Sequence, residues 1–336
     1  MAKVLVVGGG GFLGKALVKK LIERGDEVRS LSRGAYPELE KMGAEVLRGD
    51  ITQRETAVKA SEGCEAVYHT ASKAGIWGDY SEYERINVFG TRHLLEGCRQ
   101  NGVKKFIYTS TPSVIYHPKA KIENIQEDIA YPEEFECAYA QTKAQAEREV
   151  LQANSADLAT VALRPHLIYG PGDPHLVPRL VERAFAGQLF QVGDGKNKVD
   201  ITYIDNAALA HIDAFLHMDS CAGKAYFISD GQPVNLWAWV RELLEKVGAP
   251  PITRSIPYGV TWGLGATLEF VYKLLGKKEE PKMTRFTAAQ LATSHYFNIA
   301  NAKRDLKYVP EVSVAEGMER LVAWIKEQGA NTLRHQ

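Results

Sequence analysis

Tyr139 and Lys143, in the run Tyr139-Ala140-Gln141-Thr142-Lys143, have the spacing that sets a phenol and an ammonium side by side on one face of a helix. A phenol ordinarily titrates near about pH 10, so a neighbouring cation is what would let it exchange protons closer to neutrality. Lys143 is placed to be that cation. Such a pair is common on helix surfaces, so its meaning depends on what accompanies it. Upstream, Thr109-Ser110-Thr111-Pro112-Ser113 clusters hydroxyls at the end of the apolar run that starts at Phe106. A hydroxyl there could hold a carbonyl oxygen while Tyr139 protonates it. Some of these hydroxyls are expected only to satisfy backbone groups at a strand end.

A third feature lies at the start of the chain, where Gly8 to Gly14 reads GGGGFLG between an apolar run and an amphipathic stretch. Gly8, Gly11 and Gly14 suit a tight turn, close approach of a pyrophosphate, and packing of a helix on a sheet, in that order. Phe12 and Leu13 open the helix whose free N–H groups would receive the phosphates. A dinucleotide is therefore expected, against the alternative of a plain flexible turn. The second apolar run ends Leu31-Ser32-Arg33, with no acid to bond a ribose 2′-hydroxyl. Arg33 and Ser32 could instead bind a 2′-phosphate, which favours NADP(H) over NAD(H), unless Arg33 is merely solvated. Asp50-Ile51 follows the third run, where Asp50 could reach the adenine amino group and Ile51 cover its ring, or Asp50 could cap a turn near Thr52.

These groups need elements to position them. Strands are expected at Val4 to Val7, Glu27 to Leu31, Ala44 to Leu47, Ala66 to His69, Phe106 to Thr109 and Thr160 to Leu163, with amphipathic helices between them. Two longer helices are expected at Tyr83 to Gln100 and Tyr139 to Asn154. Alternating strands and helices imply α/β architecture, a doubly wound parallel sheet of the Rossmann type. After Arg164-Pro165 the alternation breaks at Gly170, Pro171, Gly172, Pro174 and Pro178. A strand near Lys224 to Ser229 and a helix at Leu236 to Val247 follow. The expected division is a dinucleotide-binding domain from residues 1–165 plus about 199–230, and a smaller, mostly C-terminal substrate lobe from 166–198 plus 231–336.

The 336-residue chain is 45% hydrophobic and carries 41 basic and 41 acidic residues. That balance describes a globular protein with a sizeable core and no global field favouring nucleic acid. Cys64, Cys98, Cys137 and Cys221 are scattered, so neither a disulfide framework nor a zinc site is expected, and no metal is assigned. A reduced, cytoplasmic setting fits. His69, His166 and His175 lack metal spacing and read as structural. No apolar run reaches the length that spans a bilayer. The nearest, Tyr258 to Leu275, is broken by Glu269 and Lys273; most of its apolar residues are expected to be core, though it could lie on a membrane or a partner.

GGGGFLG, HTASKAG at His69 to Gly75, FIYTST at Phe106 to Thr111, YAQTK at Tyr139 to Lys143 and LRPHLIYGPGD at Leu163 to Asp173 together resemble an extended short-chain dehydrogenase/reductase. The likeness runs through essentially the whole chain and is strongest to the 3β-hydroxysteroid dehydrogenase group. KAGIWGDY at Lys73, YTSTPSV at Tyr108, GDGKNKVDITYIDNAALAH at Gly193 and GKAYFISDG at Gly223 look like the bacterial enzymes that reduce 2-alkyl-3-oxoalkanoates in long-chain olefin biosynthesis. The resemblance implies a triad of Thr111, Tyr139 and Lys143, with Ser110 and Ser113 as substitutes for Thr111. It also implies cofactor contacts from Ala71, Ser72, Lys73 and Pro165, and a second role for Lys143 at the nicotinamide ribose.

An apolar lobe containing Tyr258, Trp262, Leu264, Phe270, Tyr272, Leu274 and Leu275 suits a lipid-like ketone or β-keto acid better than a sugar nucleotide. Reduction of a long-chain β-keto acid is the preferred expectation, with a hydroxysteroid dehydrogenase as its close rival. A sugar-nucleotide epimerase is disfavoured by Ser32 and by His166-Leu167, where such enzymes resemble one another in having asparagine. A non-catalytic NADP sensor would have no need of Tyr139, Lys143 and the hydroxyls. The superfamily implies a homodimer through the two long helices, and the olefin-pathway likeness implies association with neighbouring enzymes.

Overall fold

The computed structural model describes residues 1–116 and 122–328, so residues 117–121 and the tail of the expected substrate lobe, 329–336, lie outside the described residues. Seven strands form one parallel sheet: β1 (Lys3–Val7), β2 (Glu27–Ser32), β3 (Glu45–Arg48), β4 (Ala66–His69), β5 (Lys105–Thr109), β6 (Ala159–Pro165) and β7 (Ala225–Ile228). Their order across the sheet is β7-β6-β5-β4-β1-β2-β3. Strands covered on both faces can be apolar throughout, and KVLVV in β1 shows how. Val4 and Val6 join one buried cluster with Leu17, Val18 and Leu21. Leu5 and Val7 point to the other face and join Val67, Phe106 and Leu94. This is the expected α/β doubly wound Rossmann arrangement.

From β1 the chain runs outward one way through β2 and β3, then crosses to the other side of β1 as β4. A crevice opens at the carboxyl ends of β1 and β4, where the direction of winding reverses. Three helices frame it. Helix α1 (Phe12–Glu23) follows β1. Helix α2 (Gly90–Gln100) continues from a π-helical segment at Glu84–Phe89. Helix α3 (Ala138–Gln152) carries Tyr139 and Lys143 and packs beside α2.

The second lobe is built around a four-stranded sheet in the order Val234–Asn235, Lys198–Val199, His295–Phe297, Ile122–Ile125. Its last strand comes from the first half of the chain and pairs parallel with His295–Phe297. Two further helices belong to this lobe, α4 (Tyr258–Leu274) and α5 (Arg285–Ala292), packed on each other. The expectation that the apolar residues of α4 are mostly core is not met: Trp262, Leu264, Phe270, Leu274 and Leu275 are exposed. Thr261 and Gly265 are what the helix buries. Among the described residues no helix is long and apolar enough to cross a membrane.

Candidate active site

The glycine turn is shaped by what leaves no room for a Cβ. Gly8 has φ of +87°, and a side chain on it would meet the Ala71 nitrogen at 2.8 Å. The ends of β1 and β4 thus touch, with Thr70 N donating to Val7 O at 2.9 Å. Gly14 faces the Gly8 carbonyl so closely that a Cβ would collide with backbone. Gly10 is hemmed in by the ring of Tyr36, and its N–H donates to Ser32 Oγ at 3.0 Å. Ser32 is therefore already tied to the turn. Tyr36, which the sequence reading missed, walls the turn from the far side; an aromatic just after Ser32-Arg33-Gly34 was its signal.

A groove of about 540 Å³ runs along this crevice. Gly8, Gly11, Ser32, Arg33, Asp50, Ile51, Ala71 and Ser72 are among the residues that line it. Phe12 packs against the core and Leu13 and Gly14 are buried, so these three do not line the groove and offer it only the start of α1. Arg33 is exposed, and among the described residues its guanidinium is in no ion pair. Arg48, in register with Ser32 on the neighbouring strand, donates to the Arg33 carbonyl at 3.0 Å. Asp50 accepts the Thr52 N–H at 2.9 Å, the capping role, while also lining the groove. Ile51 packs against Gly90 of α2.

Lys73 departs from its expected place. It turns away from the groove, with Nζ 3.0 Å from Glu82, and lines a larger cleft of about 830 Å³. Its backbone is clamped by Asn87 in the π-helical segment: Lys73 N donates to Asn87 Oδ1 at 2.7 Å, and Asn87 Nδ2 donates to the Lys73 carbonyl at 3.2 Å. Asn87 also donates to Thr142 Oγ1 at 3.1 Å, joining the β4 loop to α3. An irregular helical turn at such a junction often serves a site. Nothing in the spacing of Asn87 announced it. Pro165 ends β6, buried, beside β7.

The hydroxyl cluster is sorted by the fold. Thr109 Oγ1 bonds His211 Nε2 at 2.7 Å, and Ser110 Oγ is buried with no hydrogen-bond partner among the described residues. Thr111 is the one whose hydroxyl acts on the Tyr139 phenol, favouring its ionised form. It is held by the turn it caps, accepting the Ser113 N–H and donating to Ser113 Oγ, both at 3.2 Å. Thr111 thus acts on Tyr139 although the two lie on different elements.

Lys143 is buried. Its ammonium donates to the Thr109 carbonyl at 2.6 Å and lies 4.0 Å from the centre of the Tyr108 ring. Burial pulls its pKa down to about 7, opposed by the nearby Glu147 carboxylate. The expected lowering of the phenol does not occur here: burial pushes Tyr139 up to about 12, and only the Thr111 hydroxyl acts downward. Desolvation is the largest influence on the phenol. Glu147, one turn beyond Lys143, forms a buried ion pair with Arg164 of β6, Nη2 to Oε1 at 2.6 Å, and accepts the Tyr131 hydroxyl at 2.6 Å. His69 bonds Thr91 at 3.0 Å, and His166 bonds His295 at 2.7 Å, both buried; His175 precedes a helix whose N–H groups Asp173 accepts.

An acid, a hydrogen-bonded hydroxyl and a buried amine thus stand together, and a glycine-lined groove runs from the ends of β1 and β4. The chain is 50% identical over 325 residues to 2-alkyl-3-oxoalkanoate reductase of Stenotrophomonas maltophilia, covering 96% of this chain and 98% of that one. It is 45% identical to the Shewanella oneidensis protein of the same name, covering 96% and 86%. In fold it is similar to UDP-glucuronic acid 4-epimerase from Bacillus cereus in complex with NAD, with TM-score 0.75, 22% identity, and coverage of 97% and 99%. Residues 5–257 match the 3-beta hydroxysteroid dehydrogenase/isomerase family, nicotinamide-dependent oxidoreductases. With a match that runs from β1 to the residue before α4, this chain is a member of that family.

Proposed function

We propose that the protein is an NADPH-dependent ketoreductase that converts a 2-alkyl-3-oxoalkanoate to the 2-alkyl-3-hydroxyalkanoate in olefin biosynthesis. The observation that carries this reading is the buried Lys143 ammonium, fixed on the Thr109 carbonyl one helical turn from Tyr139, together with a glycine turn too tight for any side chain. The two relatives named for that reaction support the substrate class.

The residues present fit a dinucleotide, since any side chain at Gly8 or Gly14 would fill the turn. Gly8, Gly11 and the start of α1 would hold the pyrophosphate, Asp50 and Ile51 the adenine, and Arg33 a 2′-phosphate. When bound, the cofactor supplies the hydride that reduces the ketone carbon. Tyr139 is protonated at neutral pH, the state a proton donor to the ketone oxygen needs. Thr111 holds that oxygen, and Lys143, one helical turn away, supplies the positive charge beside the phenolate left behind.

The assignment of residues 1–165 with about 199–230 to the nucleotide, and of the remainder to the substrate, belongs to the same proposal. So do a homodimer through α2 and α3 and contacts with other enzymes of the pathway. Purified protein should oxidise NADPH with 2-alkyl-3-oxoalkanoates and not with UDP-sugars. Turnover of 3β-hydroxysteroids with no turnover of these acids would replace the reading with that of a steroid dehydrogenase.

A further inference from the structure

Helix α4 is amphipathic in the wrong sense for a helix that only packs on a core. Its protein-facing side carries Thr261 and Gly265, both buried, and Glu269. A Cβ on Gly265 would meet the backbone of Thr284 at 2.6 Å, so the helix is pressed directly onto the start of α5. Glu269 accepts the Arg285 N–H at 2.7 Å and Nε at 2.8 Å. Outward, Val260, Leu264, Val271 and Leu274 recur at helical spacing, flanked by Phe270 and Leu275. Phe270, Leu274 and Leu275 retain 67%, 74% and 61% of their accessible surface. Single exposed apolar residues are ordinary, whereas a contiguous stripe along one helix marks a surface that something covers.

Lys273, Lys277 and Lys278 gather at the end of the helix where that apolar exposure is greatest. Among the described residues none of the three is in an ion pair. Of the two carboxylates that follow, Glu280 lies 3.5 Å from Arg179. The chain has no net charge, so this cationic end is local. An apolar face bordered by unpaired ammonium groups is the composition of a helix lying in the plane of an anionic bilayer surface. The same end borders the 830 Å³ cleft through Tyr272, Lys273, Lys277 and Lys278, and the lining of that cleft also includes Cys137 and Ala138, next to Tyr139. Trp77 Nε1 donates to the Lys277 carbonyl at 3.1 Å and pins the helix end to the loop after β4.

We infer that α4 seats the protein on an anionic lipid surface, with the mouth of the cleft at the water–lipid boundary. A substrate with two alkyl chains would then enter from the lipid without crossing water. That last consequence rests on the proposed function; the seating does not.

The test is flotation of the full-length protein with vesicles of phosphatidylglycerol and phosphatidylethanolamine, and with vesicles of phosphatidylcholine alone. The wild type is expected to float with the anionic vesicles and to partition at least tenfold less onto the neutral ones or in high salt. Phe270→Ser/Leu274→Ser, at exposed positions outside the cleft, is expected to lose at least tenfold in partitioning while keeping its melting temperature and its turnover of a short, water-soluble β-keto ester. A wild type that stays in the soluble fraction with both vesicles overturns the inference, whatever the variant does. So does a variant that floats as well as the wild type, or one whose mass in light scattering drops from that of a larger wild-type oligomer, which would assign the stripe to a second copy. The flotation contains neither substrate nor nucleotide, so its failure leaves the reductase reading standing, and failure of turnover leaves the flotation result standing.

Discussion

The Lys143 ammonium lies 4.0 Å from the centre of the ring of Tyr108, the residue before the Thr109 carbonyl to which it donates. A buried cation over an aromatic face is stabilised by about 2 kcal/mol when desolvated, which corresponds to more than one pKa unit. Burial outweighs that gain and leaves Lys143 at about 7 against an ordinary 10.5, so its charge changes near neutrality. Reduction should slow as pH rises through about 7 and the ammonium is lost. Tyr108→Phe should keep that limb of the kcat/KM profile in place, and Tyr108→Leu should move it to lower pH by about one unit. An unchanged profile in Tyr108→Leu would show that the ring does not hold the charge.

The same shift has a consequence for folding. Between about 7 and 10.5 the unfolded chain carries a proton on Lys143 that the folded chain lacks. Stability from this group therefore rises with pH across that window, is present in full above it, and is lost as pH falls through about 7. Lys143→Met, which removes the buried titration, should flatten that part of the stability curve measured by denaturant unfolding.

Tyr139→Phe removes the proton donor and should lower kcat by about 10²- to 10⁴-fold with little change in dinucleotide affinity. Thr111→Val should also lower kcat, whereas Thr111→Ser keeps a hydroxyl and should retain most of it. Ser110→Ala should be nearly silent in turnover, because Ser110 Oγ makes no hydrogen bond among the described residues. Steady-state kinetics on the set would sort these hydroxyl positions.

Gly14→Ala would drive a methyl into the Gly8 carbonyl and displace the turn. Dinucleotide affinity in calorimetry should fall at least tenfold, about 1.4 kcal/mol. Arg33→Ala should lower kcat/KM for NADPH while leaving NADH nearly unaffected, and Ser32→Asp should reverse the preference by repelling a 2′-phosphate. Equal losses with both nucleotides would place the discrimination elsewhere, with Arg48 the next cation along the same strand ends.

Glu147→Ala leaves Arg164 buried without its carboxylate and the Tyr131 hydroxyl without its acceptor. The cost should be about 3–5 kcal/mol in unfolding free energy. Because Glu147 also favours the charged form of Lys143, Glu147→Gln should shift the limb near pH 7 downward even where the fold survives.

Much of this molecule was legible along the chain because the relevant physics is local. Apolar runs such as KVLVV need only their own alternation to declare a strand buried on both faces, and Tyr139 and Lys143 need only four residues of helix to stand side by side. The glycine turn declared itself between a strand and a helix for the same reason. What tertiary structure decided lies between residues far apart in sequence. It let Thr111 act on the Tyr139 phenol, set Tyr36 against Gly10, clamped Lys73 with Asn87, and brought Ile122–Ile125 into a sheet with residues near 295. It also reversed two expectations, since desolvation raised the Tyr139 pKa and the packing of α4 on α5 left its apolar stripe outside. Burial is a property of what surrounds a residue in space, and no spacing along the chain encodes it.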